Sequence, residues 1–315
     1  MPKKTPRVLY HYCSLSTFKS IMDSHSIWLS DISKSNDSLE LQWIMGQCSY
    51  YILKAWADYA KAVQKEKGID TFTEAHFQEF QRLYQLATDY EADSDTKNWV
   101  FCLSEKSDDL GQWRGYADDG KGIAIGFNST AFSLLNTLAH IINSDSFDME
   151  FKRVHYSKRD IEKFFMETAG LSKITSEIPP DEALIYIKRC LAYAFVNAPF
   201  FKSDKFKDEK EWRIVYSMQL DNIARGQKPG LPNAENEFSD FITLEKYGFI
   251  QRQDTLVSHL ELGFPQIKRA IHSITIGPKA KVSPMDIRMY LMSIGLLDNA
   301  SDKSIEVRCS SISYR

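Results

Sequence analysis

The stretch Glu209 to Tyr216, EKEWRIVY, carries the densest chemistry in the chain. Read as a strand, its period of two turns Glu209, Glu211 and Arg213 to one face and Trp212, Ile214 and Tyr216 to the other. Two carboxylates on one surface repel unless water, a cation or substrate hydroxyls compensate them. Enzymes use such pairs to hold ribose hydroxyls or to support a developing cation. The competing account is a solvated face on which Glu and Arg pair weakly. His11 stands between Tyr10 and Tyr12, so in a strand its ring faces away from theirs. It is either a pocket donor or a core imidazole satisfied by one backbone partner. In SEKSDDLGQWRGYADDGK, Asp108 suits the cap of a short helix that sets Trp113 and Tyr116 three residues apart on one side. The two rings offer stacking area to a planar ligand, or else anchor that helix in a core.

Other chemistries lack their residues. Asp108, Asp109, Asp118 and Asp119 sit in ordinary turn contexts and do not read as a magnesium site. The other six histidines form no HExxH spacing, and the glycines at 120, 122 and 126 make neither a GxGxxG turn nor a P-loop. There is no GxSxG elbow. Cys13, Cys48, Cys102, Cys190 and Cys309 contain no CxxC pair, which excludes a disulfide framework and a structural zinc motif and points to a reducing cytoplasm.

These residues need elements to position them. VLYHY, IWLSDI, Trp99 to Leu103, GIAIGF, MEFKRVHY, EWRIVY, SITIG and IEVRCSSI read as strands. Helical spacing follows Ser16, runs from Ser129 to Ile142, around Ile161 to Met166 and from Pro180 to Val196, and resumes after Ser283 and Pro284 until near Gly295. Capping-box spacings at Asp37/Glu40 and Thr71/Glu74 precede two apolar-periodic stretches, so residues about 38–92 read as an inserted helical hairpin with a polar connector near Gly68. Asn222 to Glu237 is a Gly-, Pro- and Asn-rich loop. The fold expected is α+β: a split or curved, mainly antiparallel sheet with a helical layer. Strands from both ends must share that sheet, so residues 1–315 read as one domain with the hairpin inserted.

The composition bounds the partners. With 39 Lys plus Arg against 42 Asp plus Glu, the net charge of −3 supplies no polycationic field for nucleic acid or anionic lipid. No apolar run approaches the ~18 residues that a membrane helix requires, so no membrane partner is expected. A hydrophobic fraction of 43% and a charged fraction of 26% describe a globular chain that buries its core without staples.

Taken together, LYHYCSLSTFKSIMDSHSIWLSDISKSNDSLE, VFCLSEKSDDLGQWRGYADDGKGIAIGF, FKDEKEWRIV and ITIGPKAK resemble the bacterial domain of unknown function family 2971. More distantly, a strand histidine followed by a short helix and a second strand ending near Ser30 resembles the opening of the histidine-type ADP-ribosyltransferases, whose NAD pocket splits two small sheets. That resemblance implies NAD as a consumed substrate, no metal, and an unknown acceptor that is protein, nucleic acid or small molecule. It implies catalytic roles for Glu211, Glu209 and His11. It implies NAD contacts at His11, Tyr12, Ser30, Trp113 or Tyr116, and Arg114 or Arg213, the arginines meeting the pyrophosphate. Two departures stand against it: Tyr116 falls in an expected helix or loop where the transferase pattern has a strand, and the hairpin is larger than the usual connection. The alternative is a catalytically silent binding or sensor module, such as one serving phage defence, that uses the rings of Trp43, Tyr50, Tyr51 and Trp56.

Overall fold

The computed structural model describes residues 7–34, 40–68, 71–89, 96–132, 149–219, 243–252, 254–264 and 267–314. The Asp37 cap, most of the helix expected from Ser129 to Ile142 and the Asn222 to Glu237 loop lie outside them.

The described strands are β1 (Val8–Cys13), β2 (Ser26–Asp31), β3 (Thr96–Ser104), β4 (Ile123–Asn128), β5 (Met149–Arg153), β6 (Glu211–Gln219), β7 (Thr243–Arg252), β8 (Thr255–Gly263), β9 (Ile271–Ile276) and β10 (Glu306–Cys309). The described helices are α1 (Leu15–Ser24), α2 (Glu40–Lys67), α3 (Glu74–Thr88), α4 (Leu110–Tyr116), α5 (Lys158–Lys163), α6 (Pro180–Asn197) and α7 (Pro284–Ser293), with short 3₁₀ and π turns between them. All strands join one open, mostly antiparallel sheet in the order β10-β9-β4-β1-β3-β2-β8-β7, with β6 also on β3 and β5 on β6. Of the pairings with an assigned register, only β10 on β9 is parallel.

The sheet splits at β3. This strand has three partners, β1, β2 and β6, and a strand has two edges, so two partners must share one. β1 meets it at its end, Tyr10 opposite Ser104, whereas β2 meets it earlier, Ser30 and Asp31 opposite Val100 and Trp99. The sequence leads one to expect a split or curved, mainly antiparallel sheet with helices, and the structure is a mixed α and β fold with one open, mostly antiparallel sheet.

By its contacts the chain falls into two compact units, one of residues 1–31, 98–153 and 208–315, the other of residues 32–97 and 154–207. The first holds the sheet. Its core gathers Leu9, Phe18, Ile27, Phe101, Ile125, Phe127, Phe151, Ile214, Tyr216 and Leu260, none more than 3% exposed. A second, smaller cluster joins Tyr12, Trp113, Ala117 and Ala124. In the second unit α2, α3 and α6 pack on one another around Ile44, Cys48, Ile52, Trp56, Leu83, Ile187 and Cys190. The helical unit thus draws on residues 154–207 as well as on the expected hairpin.

Local chemistry explains the boundaries. Ser14 accepts the Thr17 N–H to start α1, and Ser283 with Asp286 forms a reciprocal capping box on α7. The expected Thr71/Glu74 box is displaced: α3 begins after Thr73, whose N–H donates to His76 Nδ1 at 3.0 Å. After α4 the chain reverses through Asp118, Asp119 and Gly120, all at positive φ (49°, 54° and 83°). Gly122 then passes so close to β1 that a Cβ there would lie 2.1 Å from the Cys13 carbonyl oxygen. The β7–β8 hairpin is absent from the sequence reading, because its first strand, TLEKYGFIQR, shows little alternation and its turn lacks an Asn-Gly or Asp-Gly signal.

Candidate functional site

A cleft in the sheet unit is lined by Tyr10, His11, Tyr12, Cys102, Leu103, Ser104, Gln112, Tyr116, Glu209 and Glu211, and it encloses about 50 Å³. Four segments build it: β1, the end of β3, α4 and the entry to β6. Since β3 pairs with both β1 and β6, the strands bearing His11 and Glu211 stand two positions apart with β3 between them.

His11 stacks on Phe101, ring centroids 4.1 Å apart, and its Nδ1 lies 2.9 Å from the Cys102 carbonyl oxygen. A carbonyl only accepts, so Nδ1 carries the proton and Nε2 of the neutral ring is an acceptor. Burial holds the ring's pKa down to about 4, against the opposing pull of the Cys102 hydrogen bond, so it is neutral at pH 7. Tyr12 is buried, donates to the Lys106 carbonyl at 2.9 Å and accepts the Asp109 N–H at 3.2 Å, which ties β1 to the start of α4. Its neighbour Asp109, not Asp108, caps that helix by accepting the Gln112 N–H at 3.1 Å. Asp108 instead accepts from Trp113 Nε1 at 2.7 Å, Ser310 Oγ at 2.7 Å and the Ser311 N–H at 2.8 Å. Burial pulls its carboxyl upward, but these donors prevail and hold it below the usual range.

Residues 112 and 116, four apart on α4, face the cleft together, while Trp113 points away from it. This corrects the stacking role offered to Trp113: its indole is fully buried against Tyr12, centroids 4.8 Å apart, and serves as the core anchor of α4. Tyr116 is the ring at the mouth, 42% exposed, donating its hydroxyl to Glu209 Oε1 at 2.8 Å. Desolvation of the phenol, with the Glu209 charge beside it, raises its pKa, so it remains a donor at neutral pH.

The two glutamates do not share a strand. Glu209 ends the 3₁₀ turn Asp204–Glu209, Lys210 has φ 46°, and β6 begins only at Glu211. The left-handed Lys210 breaks the period of two, yet both side chains line the cleft. Ser104 Oγ donates to the Glu209 carbonyl at 2.6 Å and the Glu105 N–H to the Lys210 carbonyl at 3.1 Å, clamping this kink to the end of β3. Glu211 accepts two hydrogen bonds from Arg213, Nε and Nη2 each at 2.9 Å, and both side chains are buried. Arg213, which the sequence offered to a pyrophosphate, thus gives two of its N–H groups to Glu211. The cleft lining includes neither Ser30, on β2 opposite Val100 and His259, nor Arg114, which is exposed on α4. Gln112 and Cys102 join the cleft without having been singled out; the i, i+4 relation of Gln112 to Tyr116 was the available signal.

Of the aspartates near α4, Asp108, Asp109 and Asp119 bind the turn they sit in or its clamp. Asp109 also pairs with Lys106 at 2.7 Å, and Asp119 accepts from Lys279 Nζ and, at 2.6 Å, from the Tyr314 hydroxyl. Among the described residues no helix is long and apolar enough to cross a membrane. None of the five cysteines is in a disulfide.

The family resemblance holds: residues 112–214 match the model of the family described as a protein of unknown function, DUF2971. The matched stretch contains Gln112, Tyr116, Glu209 and Glu211 of the cleft, while His11 precedes it. No curated protein and no solved structure matches the chain.

Proposed function

We propose that the protein cleaves NAD at the nicotinamide bond and passes ADP-ribose to an acceptor. The observation that carries this reading is the convergence of His11, Tyr116, Glu209 and Glu211 on one cleft from three separate segments, β1, α4 and the entry to β6. A volume of about 50 Å³ is far below the ~300–1,000 Å³ of a pocket that takes a whole drug-sized ligand, so NAD would rest across the mouth of the cleft with only its reacting ribose hydroxyls reaching in. Nε2 of neutral His11 accepts a ribose hydroxyl, the Tyr116 ring offers its face to nicotinamide, and the Glu211 carboxylate accepts the 2′-hydroxyl.

The glycosidic C–N bond breaks with its electron pair leaving on nicotinamide, which departs neutral. The sugar is left as an oxocarbenium-like cation, which the fixed carboxylate favours over the ground state. The acceptor's oxygen or nitrogen, or that of water, then bonds to the anomeric carbon, and its proton passes to Glu209. No metal enters these steps. Incubating the protein with millimolar NAD and excess chelator tests the reading by release of free nicotinamide.

A catalytically silent binding module is the second reading, and the tight Glu211–Arg213 pairing favours it, because a carboxylate so neutralised also serves as plain structure. NAD-dependent thermal stabilisation without nicotinamide release marks that outcome. The helical surface adds little support: of its four rings only Tyr50 is exposed, whereas Trp56 is buried and Tyr51 stacks on Phe165.

A further inference from the structure

We propose that Arg213 is a positioning residue that acts through Glu211, an inference that rests on the NAD-cleaving reading above. Arg213 and Glu211 are two apart on β6 and lie on one face of it, with side chains 3% and 8% exposed. The residues between and beyond them, Trp212 and Ile214, are set in the core on the opposite face. Trp212 Nε1 also donates to Glu105 Oε1 at 3.0 Å, so the strand that carries the pair is fixed on both sides.

The geometry is a fork: Nε donates to one carboxylate oxygen and Nη2 to the other, each at 2.9 Å. Two parallel hydrogen bonds fix the plane of the carboxylate, which a single one does not, and they occupy two of its roughly four lone-pair sites. The cleft-facing carboxylate is thereby held in one orientation before any ligand arrives. Since Arg213 is not among the residues lining the cleft, it does this without touching the ligand. Lysine, a point charge on a flexible stem, preserves the charge but cannot make the fork.

The test is a double-mutant cycle on nicotinamide release from NAD, using Arg213→Lys, Glu211→Gln and the double variant, with a thermal melt of each. Arg213→Lys should lower kcat about 10²-fold, as a misplaced reacting group does, and leave KM for NAD within about threefold. In the Glu211→Gln background the same change should move kcat less than about threefold, because its intermediary is already gone. Unchanged kcat in Arg213→Lys, additive losses in the double variant, or a melt of Arg213→Lys below the assay temperature each overturn the positioning role. Wild-type protein that releases no nicotinamide overturns the NAD reading, and this inference with it; a wild type that turns over while Arg213→Lys matches it overturns the Arg213 inference alone.

Discussion

His11 lies against Phe101 with ring centroids 4.1 Å apart and planes 25° from parallel, so a titratable ring in the candidate site is packed as part of the aromatic core. Burial holds its pKa down to about 4 in the folded protein, against 6.5 unperturbed. Between these values the unfolded chain binds the proton and the folded protein does not, so this group's share of stability is whole above pH 6.5 and falls as the pH drops toward 4. Replacing His11 by Gln should remove that dependence. The wild type should lose about 2 kcal/mol more than the variant between pH 7 and pH 5, read from urea titrations at both.

Glu211→Gln keeps the side chain's shape but removes the charge that faces the cleft and pairs with Arg213. Turnover of NAD should fall about 10²- to 10³-fold, the usual cost of deleting one electrostatic stabiliser. The melting temperature should fall as well, because Arg213 is left buried beside a neutral amide. An intact rate with a lowered melting temperature assigns the pair to structure. Glu209→Gln, by contrast, should spare hydrolysis and weaken transfer to an added acceptor.

At the mouth of the cleft, the ring and the hydroxyl of Tyr116 have separable roles. Tyr116→Phe removes the hydrogen bond to Glu209 but keeps the ring, and should leave KM for NAD unchanged at a stability cost of about 1 kcal/mol or less. Tyr116→Ala should raise KM about 3- to 10-fold through lost stacking. Steady-state kinetics on the two variants separate these effects.

Asp108 is a structural hub that joins α4 to the C-terminal segment. Asp108→Asn turns an acceptor into a donor opposite either Trp113 Nε1 or the Ser311 N–H, and should destabilise by about 1–3 kcal/mol, with a shift in tryptophan emission. Asp109→Ala, which removes the cap and the pairing with Lys106, should cost about 1–2 kcal/mol and leave that emission unchanged.

Where side-chain pattern determines structure, the sequence was informative. The alternation of Trp212, Ile214 and Tyr216 correctly gives β6, and the capping of Ser283 with Pro284 correctly opens α7. His11 and Glu211 were legible as partners only through the family-like order of elements, because nothing local joins residues two hundred apart in sequence. Backbone events stayed hidden. The positive φ of Lys210 takes Glu209 out of the strand, and no residue-type rule anticipates a left-handed lysine. The choice between Asp108 and Asp109 as cap depended on Ser310 and Ser311 from the far end of the chain, which claim Asp108. The β7–β8 hairpin was missed because its strands are specified by pairing with each other and with β2, more than by periodicity.

The pairing of β2 with β8 has a consequence for how the protein is made. Ser26 lies opposite Gly263, so β2 leaves the ribosome long before its partner exists. At about 5–20 residues per second, Ile27 and Leu29 wait roughly 10–50 s for Leu262 and Leu260. For that interval an apolar strand stands without its neighbour in the nascent chain, the condition in which chaperones engage and in which slow translation favours aggregation.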